Sequence, residues 1–349
     1  MTEPGVYKIA ADEAGAAGHE DGHAFIPNLN PKFQGLNSLQ YSKSHCKAPM
    51  FNIKAYLSQL NKRRKNASPF VTRRRYQEVL TKYNTLKNSI TSTVNPLTTP
   101  PKILWVKPYT ARSRELCIFV TYAQTPRIKP YVAWHVEAFS KQGIDVVLVI
   151  NTDQHEQPLE KPNDDLRLAG MCIRENKGFD FGAWSQTMAT IETSNFDRVY
   201  WVNDSLFGPL TLTSFDRMIA SVRASTADLV GLTENGSDER HLQSFFLSFN
   251  HNILQNNQFA TYVQQLWQLP TKSFVIEFYE VRLTRLIQQL GFTTRALFSL
   301  QGQAKQELTY SYPRALHAQG FPYLKTALIR QRQDEGLASE CLPQYLPID

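Results

Sequence analysis

The stretch WVNDSLFGPL, residues 201–210, places an amide, a carboxylate and a hydroxyl directly after an apolar run. Asp204 is the one carboxylate in the triplet Asn203-Asp204-Ser205. A carboxylate there suits a divalent cation such as Mn²⁺ or Mg²⁺, which prefers oxygen ligands and bridges the oxygens of a diphosphate. It equally suits hydrogen bonds from sugar hydroxyls. The same residue types cap ordinary turns, so the triplet alone leaves a ligand site and a capped turn open.

A second stretch, ENKGFDFGAW at residues 175–184, lies between a predicted strand and a predicted helix. Gly178 and Gly182 bracket Asp180. Glycines allow the backbone to approach a bound nucleotide closely, and Asp180 is suited to hold ribose or sugar hydroxyls. The alternative is a helix N-cap at Asp180. The spacing is neither the dinucleotide fingerprint nor a phosphate-binding P-loop.

Apolar runs and helical periodicity alternate through the part of the chain that contains both stretches. Strands are predicted at 115–122, 144–151, 169–176, 198–202 and 227–233, followed by a further run at 244–250. Helices are predicted at 130–142, 181–192, about 255–268, and 272–290. Strands that alternate with helices predict an α/β fold, with a mainly parallel sheet flanked by helices on both faces.

Polar residues stand where four of these strands end. They are Thr121-Tyr122, Asn151, Glu175-Asn176 and Asn203-Asp204-Ser205. In an open α/β sheet, ligands bind at the carboxyl ends of the strands, so these side chains are expected to converge on one edge. Asp204 is expected to face water when no ligand is bound, and therefore to contribute little to stability.

Five motifs in order resemble the rhamnan synthesis protein F family, and more broadly the glycosyltransferases of the GT-A type. They are RENKGFDFGAW (174–184), VNDSLFGPL (202–210), RHLQSFFLSF (240–249), VIEFYEVRLTRLIQQLGF (275–292) and GFPYLK (320–325). The resemblance covers roughly residues 115–328. It implies a GT-A-like, Rossmann-type fold and the transfer of an activated sugar, often L-rhamnose from dTDP-rhamnose, during surface polysaccharide assembly.

The resemblance also assigns roles to residues. Asn176 and Asp180 would hold the nucleotide side of the donor, and Asn203, Asp204 and Ser205 would hold the diphosphate, a metal or the donor sugar. The triplet occupies the place where many GT-A enzymes carry Asp-x-Asp. Its single carboxylate weakens the expectation of tight metal binding. Two alternatives remain: a transferase that uses a UDP- or GDP-sugar, and a catalytically silent glycan-binding module.

Three later residues complete the predicted site. His241 has a side chain that titrates near neutrality, and it is the leading candidate for a general base if the reaction inverts configuration; Glu234 and Asp238 are alternatives. Gln243 is expected to bind sugar hydroxyls, and Lys325 to neutralise the diphosphate leaving group. A surface histidine and a solvated lysine are the simpler interpretations of His241 and Lys325. Glu277 and Glu280 are interpreted as helix-surface partners of nearby arginines.

The positive charge of the chain is concentrated near its N-terminus. Between residues 51 and 90 there are ten lysines and arginines and one acidic residue, Glu78, a net +9, whereas the whole chain carries +7. The clusters KRRK (62–65) and RRR (73–75) suit anionic lipid headgroups, at about 1 kcal/mol per charge. A solvated face or a partner subunit is the alternative. Zinc-finger and RNA-recognition motifs are absent from the sequence, which argues against nucleic acid as a partner.

The remaining patterns define the compartment and the domain boundaries. Four widely separated cysteines without C-x-x-C spacing indicate a reducing, cytosolic setting. The N-terminal residues lack the apolar core of a signal peptide, and no run approaches the ~18 apolar residues of a membrane span. A cytoplasmic protein is therefore expected, which would contact a membrane only peripherally, at its inner face. The predicted divisions are an irregular segment at 1–48, a basic helical extension with a Pro-rich linker at 49–101, the catalytic domain at 102–330 and a tail at 331–349.

Overall fold

Runs of β-branched and aromatic residues form the central sheet in the computed structural model of the chain. The structure describes residues 99–160, 166–236, 240–303, 306–331, 335–346 and 348, together with 77–78, 81 and 84–85. All of these residues belong to one unit, Ala48–Asp349. Of the predicted N-terminal extension, residues 77–78, 81 and 84–85 are helical, and the rest of that prediction lies outside the described residues.

Twelve strands are present in the described part of the chain. They are β1 (Ile103–Lys107), β2 (Glu115–Tyr122), β3 (Asp145–Thr152), β4 (Gly170–Glu175), β5 (Arg198–Asn203), β6 (Leu206–Phe207), β7 (Leu229–Gly231), β8 (Glu234–Asn235), β9 (His241–Leu242), β10 (Phe246–Asn250), β11 (Thr294–Ala296) and β12 (Leu324–Lys325).

Helices connect and cover these strands. They are α1 (Pro130–Lys141), α2 (Phe179–Met188), α3 (Leu212–Arg223), α4 (His251–Leu254), α5 (Asn257–Gln264), α6 (Lys272–Val275), α7 (Val281–Gln289), α8 (Leu308–Ser311), α9 (Pro313–Ala318), α10 (Thr326–Arg330) and α11 (Glu335–Cys341). A π-helical segment, Ile276–Glu280, joins α6 to α7. Short 3₁₀ turns occur at Thr193–Asn195 and Pro343–Tyr345.

Eight strands make one mixed sheet in the order β1-β4-β3-β2-β5-β10-β7-β11. Its centre is parallel, since β4, β3, β2 and β5 pair side by side in the same direction. β10 runs antiparallel to both β5 and β7, and β1 runs antiparallel to β4. The two small sheets are β6 with β12 and β8 with β9. The prediction of a large central sheet flanked by helices is confirmed, with parallel pairing concentrated at its centre.

The two faces of the sheet are both covered. Along β3, Val146, Leu148 and Ile150 pack into one apolar cluster, whereas Val147 and Val149 pack into the other. Successive side chains of a strand point to opposite faces, so a strand buried on both faces needs a continuous apolar run. Each fully buried Val or Leu side chain contributes roughly 1.5–3 kcal/mol. This explains why the central strands were visible in the sequence.

The structure differs from the predicted elements at several places. The 244–250 run is antiparallel because the described residues of its connection to β7, 232–236 and 240–245, contain no helix, and parallel strands need a long crossover. The helix predicted at 181–192 spans Phe179–Met188. The helix predicted at 272–290 contains the π segment. Strands β1 and β11 were not predicted, because these half-exposed edge strands lack both alternation and a fully buried run.

No helix in the described ranges has the length and apolar character needed to cross a membrane.

Candidate active site

In an open α/β sheet the ligand crevice lies where the strand order reverses, which in this sheet is at the carboxyl ends of β2 and β5. From β2 the chain proceeds outward through β3 and β4 on one side, and then returns to place β5 on the other side of β2. Ligands of open α/β sheets bind at such a reversal of strand order. Thr121 and Tyr122 end β2, and Asn203 ends β5 with Asp204 directly after it. The residues that the sequence placed at one edge therefore meet at this position.

Asp204 lies between a hydroxyl and an ammonium group. Its Oδ2 accepts a hydrogen bond from Thr121 Oγ1 at 2.5 Å and forms an ion pair with Lys129 Nζ at 2.8 Å. The side chains of Asp204 and Lys129 are 19% and 8% exposed. The expectation that Asp204 simply faces water is therefore wrong, because a buried lysine satisfies it. Lys129 was not among the predicted site residues.

Asn203 connects Asp204's turn to the loop before α2. Its Nδ2 donates to Asp180 Oδ2 at 2.6 Å, and its Oδ1 accepts from both the backbone N–H and the Oγ of Ser205, at 3.1 and 2.6 Å. A side-chain oxygen that accepts from the backbone two residues on is an Asx-turn. Asn203 and Ser205 thus cap their own turn, whereas Asp204 reaches across to β2 and α1.

Asp180 has few donors for a carboxylate. Burial raises its pKa above the ordinary value, while the charge of Lys272 and the hydrogen bond from Asn203 oppose that increase. A carboxylate whose hydrogen-bond donors are one side-chain amide and its own backbone N–H has acceptor capacity left for a ligand. This fits the predicted contact of Asp180 with hydroxyl groups, which stays a prediction.

Gln268 fills the space beside Gly178, which precedes α2, and Gly182, which lies in the first turn of α2. A Cβ on Gly178, whose φ is +70°, would lie 2.1 Å from Gln268 Oε1, and a Cβ on Gly182 would lie 2.4 Å from the same atom. Buried Arg174 donates to Gln268 Oε1 at 3.1 Å and to the Lys177 carbonyl at 2.8 Å. The glycines therefore make room for Gln268, and their predicted role toward a nucleotide remains a prediction.

Asp153 joins the ends of two further strands. It accepts from Tyr122 Oη at 2.6 Å and from Asn176 Nδ2 at 3.0 Å. The hydrogen bond to Asp153, together with partial burial, raises the pKa of Tyr122 to about 12. The tyrosine therefore stays neutral at physiological pH. Tyr122 and Asn176 lie at the carboxyl edge as predicted, on the side of β3 and β4.

A second polar network surrounds Glu280, the last residue of the π segment. Its Oε2 accepts from Ser244 Oγ and from the Ser244 backbone N–H, and its Oε1 lies 3.7 Å from His241 Nε2. Burial opposes ionisation of Glu280, but the nearby His241, the hydrogen bonds from Ser244 and the charge of Lys325 hold its pKa below the ordinary value. π segments recur at functional sites. Glu280, which the sequence placed with surface arginines, thus faces the predicted base candidate.

Glu307 connects Gln243 with Lys325. Gln243 Nε2 donates to Glu307 Oε1 at 2.9 Å, and Lys325 Nζ lies 3.5 Å from the same oxygen. Lys325 is buried, and its Nζ lies 4.4 Å from the centre of the Phe245 ring. Burial lowers the pKa of Lys325, and the charges of Glu307 and Glu280 oppose that decrease. Glu307 was not predicted, because no pattern around it distinguishes it from a surface glutamate.

Backbone pairing brings the two networks to the same edge. Asn203 N donates to the Phe245 carbonyl at 3.2 Å, and Thr326 N donates to the Ser205 carbonyl at 3.0 Å. β12 pairs with β6 so that Lys325 lies opposite Leu206. Gly208 permits this pairing, because a Cβ at its φ of +143° would lie 2.7 Å from the Pro322 carbonyl oxygen. Phe245 and Lys325 therefore lie next to the Asn203-Asp204-Ser205 turn, and His241 and Gln243 precede Phe245 by four and two residues.

The alternative bases are placed differently. Glu234 forms a two-pronged ion pair with Arg240, at 2.7 and 2.6 Å, and Asp238 lies outside the described residues.

The side chains at this edge do not fit a tightly held divalent cation. Asp204 supplies one carboxylate, and the ammonium of Lys129 already contacts one of its oxygens. In the ranges that the structure describes, no three His, Cys, Asp or Glu side chains group as a metal site would require. Hard cations take six or more oxygen ligands, and the nearest partners of Asp204 here are one hydroxyl, that of Thr121, and one ammonium, that of Lys129.

Two comparisons with known proteins show what this chain is similar to. The chain is 26% identical over 174 residues to the uncharacterized protein y4gN of Sinorhizobium fredii (strain NBRC 101917 / NGR234). That match covers 47% of this chain and 43% of the relative, so the chain spans less than half of the relative's length. The model of the family described as rhamnan synthesis protein F matches residues 146–346. The matched range contains the Asp180 loop, the Asn203-Asp204-Ser205 turn and the Glu280 network, and the chain belongs to the rhamnan synthesis protein F family.

Proposed function

We propose that the protein is a glycosyltransferase, which moves a sugar from a nucleotide diphosphate sugar to a hydroxyl of a growing surface glycan. The observation that carries the proposal is the position of Asp204, at the crevice between the carboxyl ends of β2 and β5 and in contact with Thr121 and Lys129. Membership of a rhamnan synthesis family supports a role in polysaccharide assembly. The parallel core β4-β3-β2-β5 supports a GT-A-like, Rossmann-type catalytic domain over residues 102–330.

The donor occupies the side of the crevice nearer β4 and β3 in this proposal. Asn176 and Asp180 hold its nucleotide and hydroxyl groups, with Thr121, Tyr122 and the Gly178–Gly182 loop beside them. Asn203 and Ser205 fix the turn that presents Asp204. The pKa of Asp180 is raised, and few N–H or O–H groups donate hydrogen bonds to its carboxylate. The hydroxyl groups of the bound nucleotide sugar would supply further hydrogen bonds.

The acceptor occupies the side of the Glu280 network. If the reaction inverts configuration, His241 takes the proton of the acceptor hydroxyl, and Glu280 stabilises the protonated imidazole. If the reaction retains configuration, His241 and Gln243 bind the sugar. Lys325 is buried near two carboxylates, Glu307 and Glu280, and would contribute positive charge near the departing diphosphate.

The donor proposed first is dTDP-L-rhamnose, because the family is described by rhamnan synthesis. UDP- and GDP-sugars are the competing donors. We further propose a cytoplasmic enzyme whose basic segment at 49–101 contacts anionic lipid at the inner face of the membrane, where a lipid-linked acceptor would be met. Mn²⁺ or Mg²⁺ at Asp204 remains a prediction, which the experiment below includes.

The test is a panel of dTDP-rhamnose and UDP- and GDP-sugars, with release of nucleoside diphosphate as the readout, in Mn²⁺, in Mg²⁺ and in a chelator. Thermal shift on the same panel measures binding, since a ligand of the folded state raises stability by RT ln(1 + [L]/Kd). We expect one donor to bind and to release its nucleoside diphosphate in the presence of an acceptor glycan. Asp204→Asn is the matched variant and should release none. Binding without release for every donor and acceptor would identify a silent glycan-binding module instead.

A further inference from the structure

We infer that Lys129 supplies the positive charge at the leaving diphosphate, in the place that a divalent cation would occupy. The inference rests on the proposed glycosyl transfer and adds a residue and a property to it: Lys129 contacts the diphosphate of the donor, and transfer proceeds without added metal.

Local backbone geometry directs Lys129 into the crevice. It precedes Pro130, the first residue of α1, and its φ of −66° and ψ of 141° are extended, as expected of a residue before proline. Lys129 is only 7% exposed, although its side chain ends in a charged ammonium group. Lysine is almost never fully buried unless it is paired. Its position beside the β2 and β5 ends is therefore maintained by a specific partner, Asp204.

The contacts of the ammonium leave capacity for a ligand. Lys129 Nζ lies 2.8 Å from Asp204 Oδ2 and 3.5 Å from Tyr131 Oη. An ammonium group has three N–H donors, and these two oxygens are its hydrogen-bond partners within the described residues. The third donor is available to a phosphate oxygen at the crevice. The centre of the Tyr131 ring lies 5.8 Å from the ammonium nitrogen.

The same contacts disfavour a metal ion. A divalent cation bound to Asp204 would lie next to the Lys129 ammonium, and the two positive charges would repel each other at short range. The ammonium needs no coordination shell, whereas a divalent cation needs several oxygen ligands. The charges of Asp204 and Lys129 cancel in their ion pair before the sugar donor binds. Asp204 thus holds Lys129 in position.

The chemistry at the diphosphate requires such a charge. The bond between the anomeric carbon and the diphosphate oxygen breaks, and its electron pair stays on the oxygen. The acceptor hydroxyl oxygen supplies the pair for the new bond and loses its proton to a base. The nucleoside diphosphate therefore leaves with one additional negative charge. A fixed ammonium stabilises that charge as it develops.

The test compares Lys129→Met and Lys129→Arg with the control Lys141→Met, which removes a lysine from the far end of the same helix. Nucleoside diphosphate release is measured for full-length protein in EDTA, Mg²⁺ and Mn²⁺. We expect wild type to keep its activity in EDTA. Lys129→Met should lose at least ~100-fold in kcat/KM in every condition, Lys129→Arg should keep part of the activity, and Lys141→Met should be unaffected.

Two outcomes overturn the inference: EDTA abolishes wild-type release, or Lys129→Met stays within a factor of about three of wild type. If no donor is turned over at all, the proposed function fails separately. Thermal shift with pyrophosphate, dTDP, UDP and GDP in EDTA then decides the role of Lys129. A wild-type shift that Lys129→Met loses supports it, and the absence of such a difference overturns it.

A pair of variants covers the possibility that Lys129→Met does not fold with Asp204 left unpaired. Asp204→Asn frees the ammonium, so this variant should bind pyrophosphate more tightly than wild type. The double variant Lys129→Met, Asp204→Asn has no unpaired charge and should bind at least ~10-fold more weakly than Asp204→Asn. Equal binding by these two variants contradicts the inference.

Discussion

Carboxylates at the two edges of the central sheet differ in how many hydrogen-bond and ion-pair partners they have. At the amino edge, where the parallel strands begin, Asp145 accepts from two backbone N–H groups and from Arg112. Asp197, just before β5, forms a two-pronged pair with Arg114 at 2.9 and 2.7 Å. At the carboxyl edge, Asp180 accepts from the side-chain amide of Asn203 and from its own backbone N–H, and Asp204 is held through one oxygen.

The pKa values of two carboxylates follow this difference. Partial burial of Asp228, which precedes β7, opposes ionisation, but hydrogen bonds from Thr293, Asn252 and Asn250 lower its pKa to about 2. Burial raises the pKa of Asp180 instead. An edge whose acceptors are saturated stabilises the fold, whereas an edge with unused acceptor capacity is suited to a ligand. The comparison thus separates structural from candidate functional carboxylates on one sheet.

The largest effect is expected for Asp204→Ala at the carboxyl edge. Turnover should decrease at least ~100-fold, about 2.7 kcal/mol of transition-state stabilisation. The variant should also lose about 1–3 kcal/mol of unfolding free energy, because it leaves the Lys129 ammonium buried without its partner. Steady-state kinetics and chemical denaturation measure the two quantities. Normal turnover would return the turn to a purely structural role.

Asp228→Asn should show the opposite pattern at the amino edge. A decrease in pKa from 3.8 to about 2 corresponds to roughly 2 kcal/mol of stability, which partial exposure reduces to about 1–2 kcal/mol. The folded-state pKa is depressed, so this contribution is present above pH 3.8 and is lost as the pH falls through about 2. Denaturation at pH 7 and at pH 2 should therefore show a clear difference from wild type at pH 7 and a much smaller one at pH 2. Turnover of the folded variant should not change.

Asp180→Asn should affect binding and leave stability intact. The folded-state pKa is raised, so stability is greatest below the ordinary value of 3.8 and declines as the pH rises through the folded-state pKa. The amide removes that decline, and the melting temperature at pH 7 should stay the same or increase. Donor KM should rise about 5–10-fold with kcat little changed. A loss of stability like that of Asp228→Asn would show that the two edges do not differ.

The smallest effect on turnover is expected for the basic clusters at 62–65 and 73–75. Replacing their seven lysines and arginines by glutamine should weaken sedimentation with anionic vesicles, most clearly at low salt, where charge is least screened. Donor turnover should stay within about twofold of wild type. A parallel loss of vesicle binding and turnover would place the segment within the catalytic fold, contrary to the predicted boundary near residue 101.

The part of the site built on strand ends could be predicted from the sequence. Residues 115–122 and 198–203 are apolar runs followed by polar groups, and parallel pairing forces their ends together. Lys129 could not be predicted, because its partner Asp204 is 75 residues away and a single lysine before a proline has no pattern. Glu280 could not be placed, because an α-helical period directs it to the surface and the π segment changes that period.

The edge strands show the same limit in the fold. β1 has exposed Leu104 and Val106 beside half-buried Ile103 and Trp105, so its apolar residues do not follow the alternation that identifies a half-buried strand. β11 contains three residues, too few for any periodicity. Central strands, which are covered by neighbours on both sides, could be predicted from the sequence. Edge strands, which pair with one neighbour, could not.

The pairing of β6 with β12 has a consequence for the time course of synthesis. Leu206 emerges from the ribosome about 120 residues before Lys325, its partner across the pair. At 5–20 residues per second this interval lasts roughly 6–24 s. During that time Phe207 lacks the strand that covers it, and the Ser205 carbonyl lacks its donor on Thr326. The residues on the donor side of the crevice are therefore synthesised many seconds before Lys325, which lies on the acceptor side.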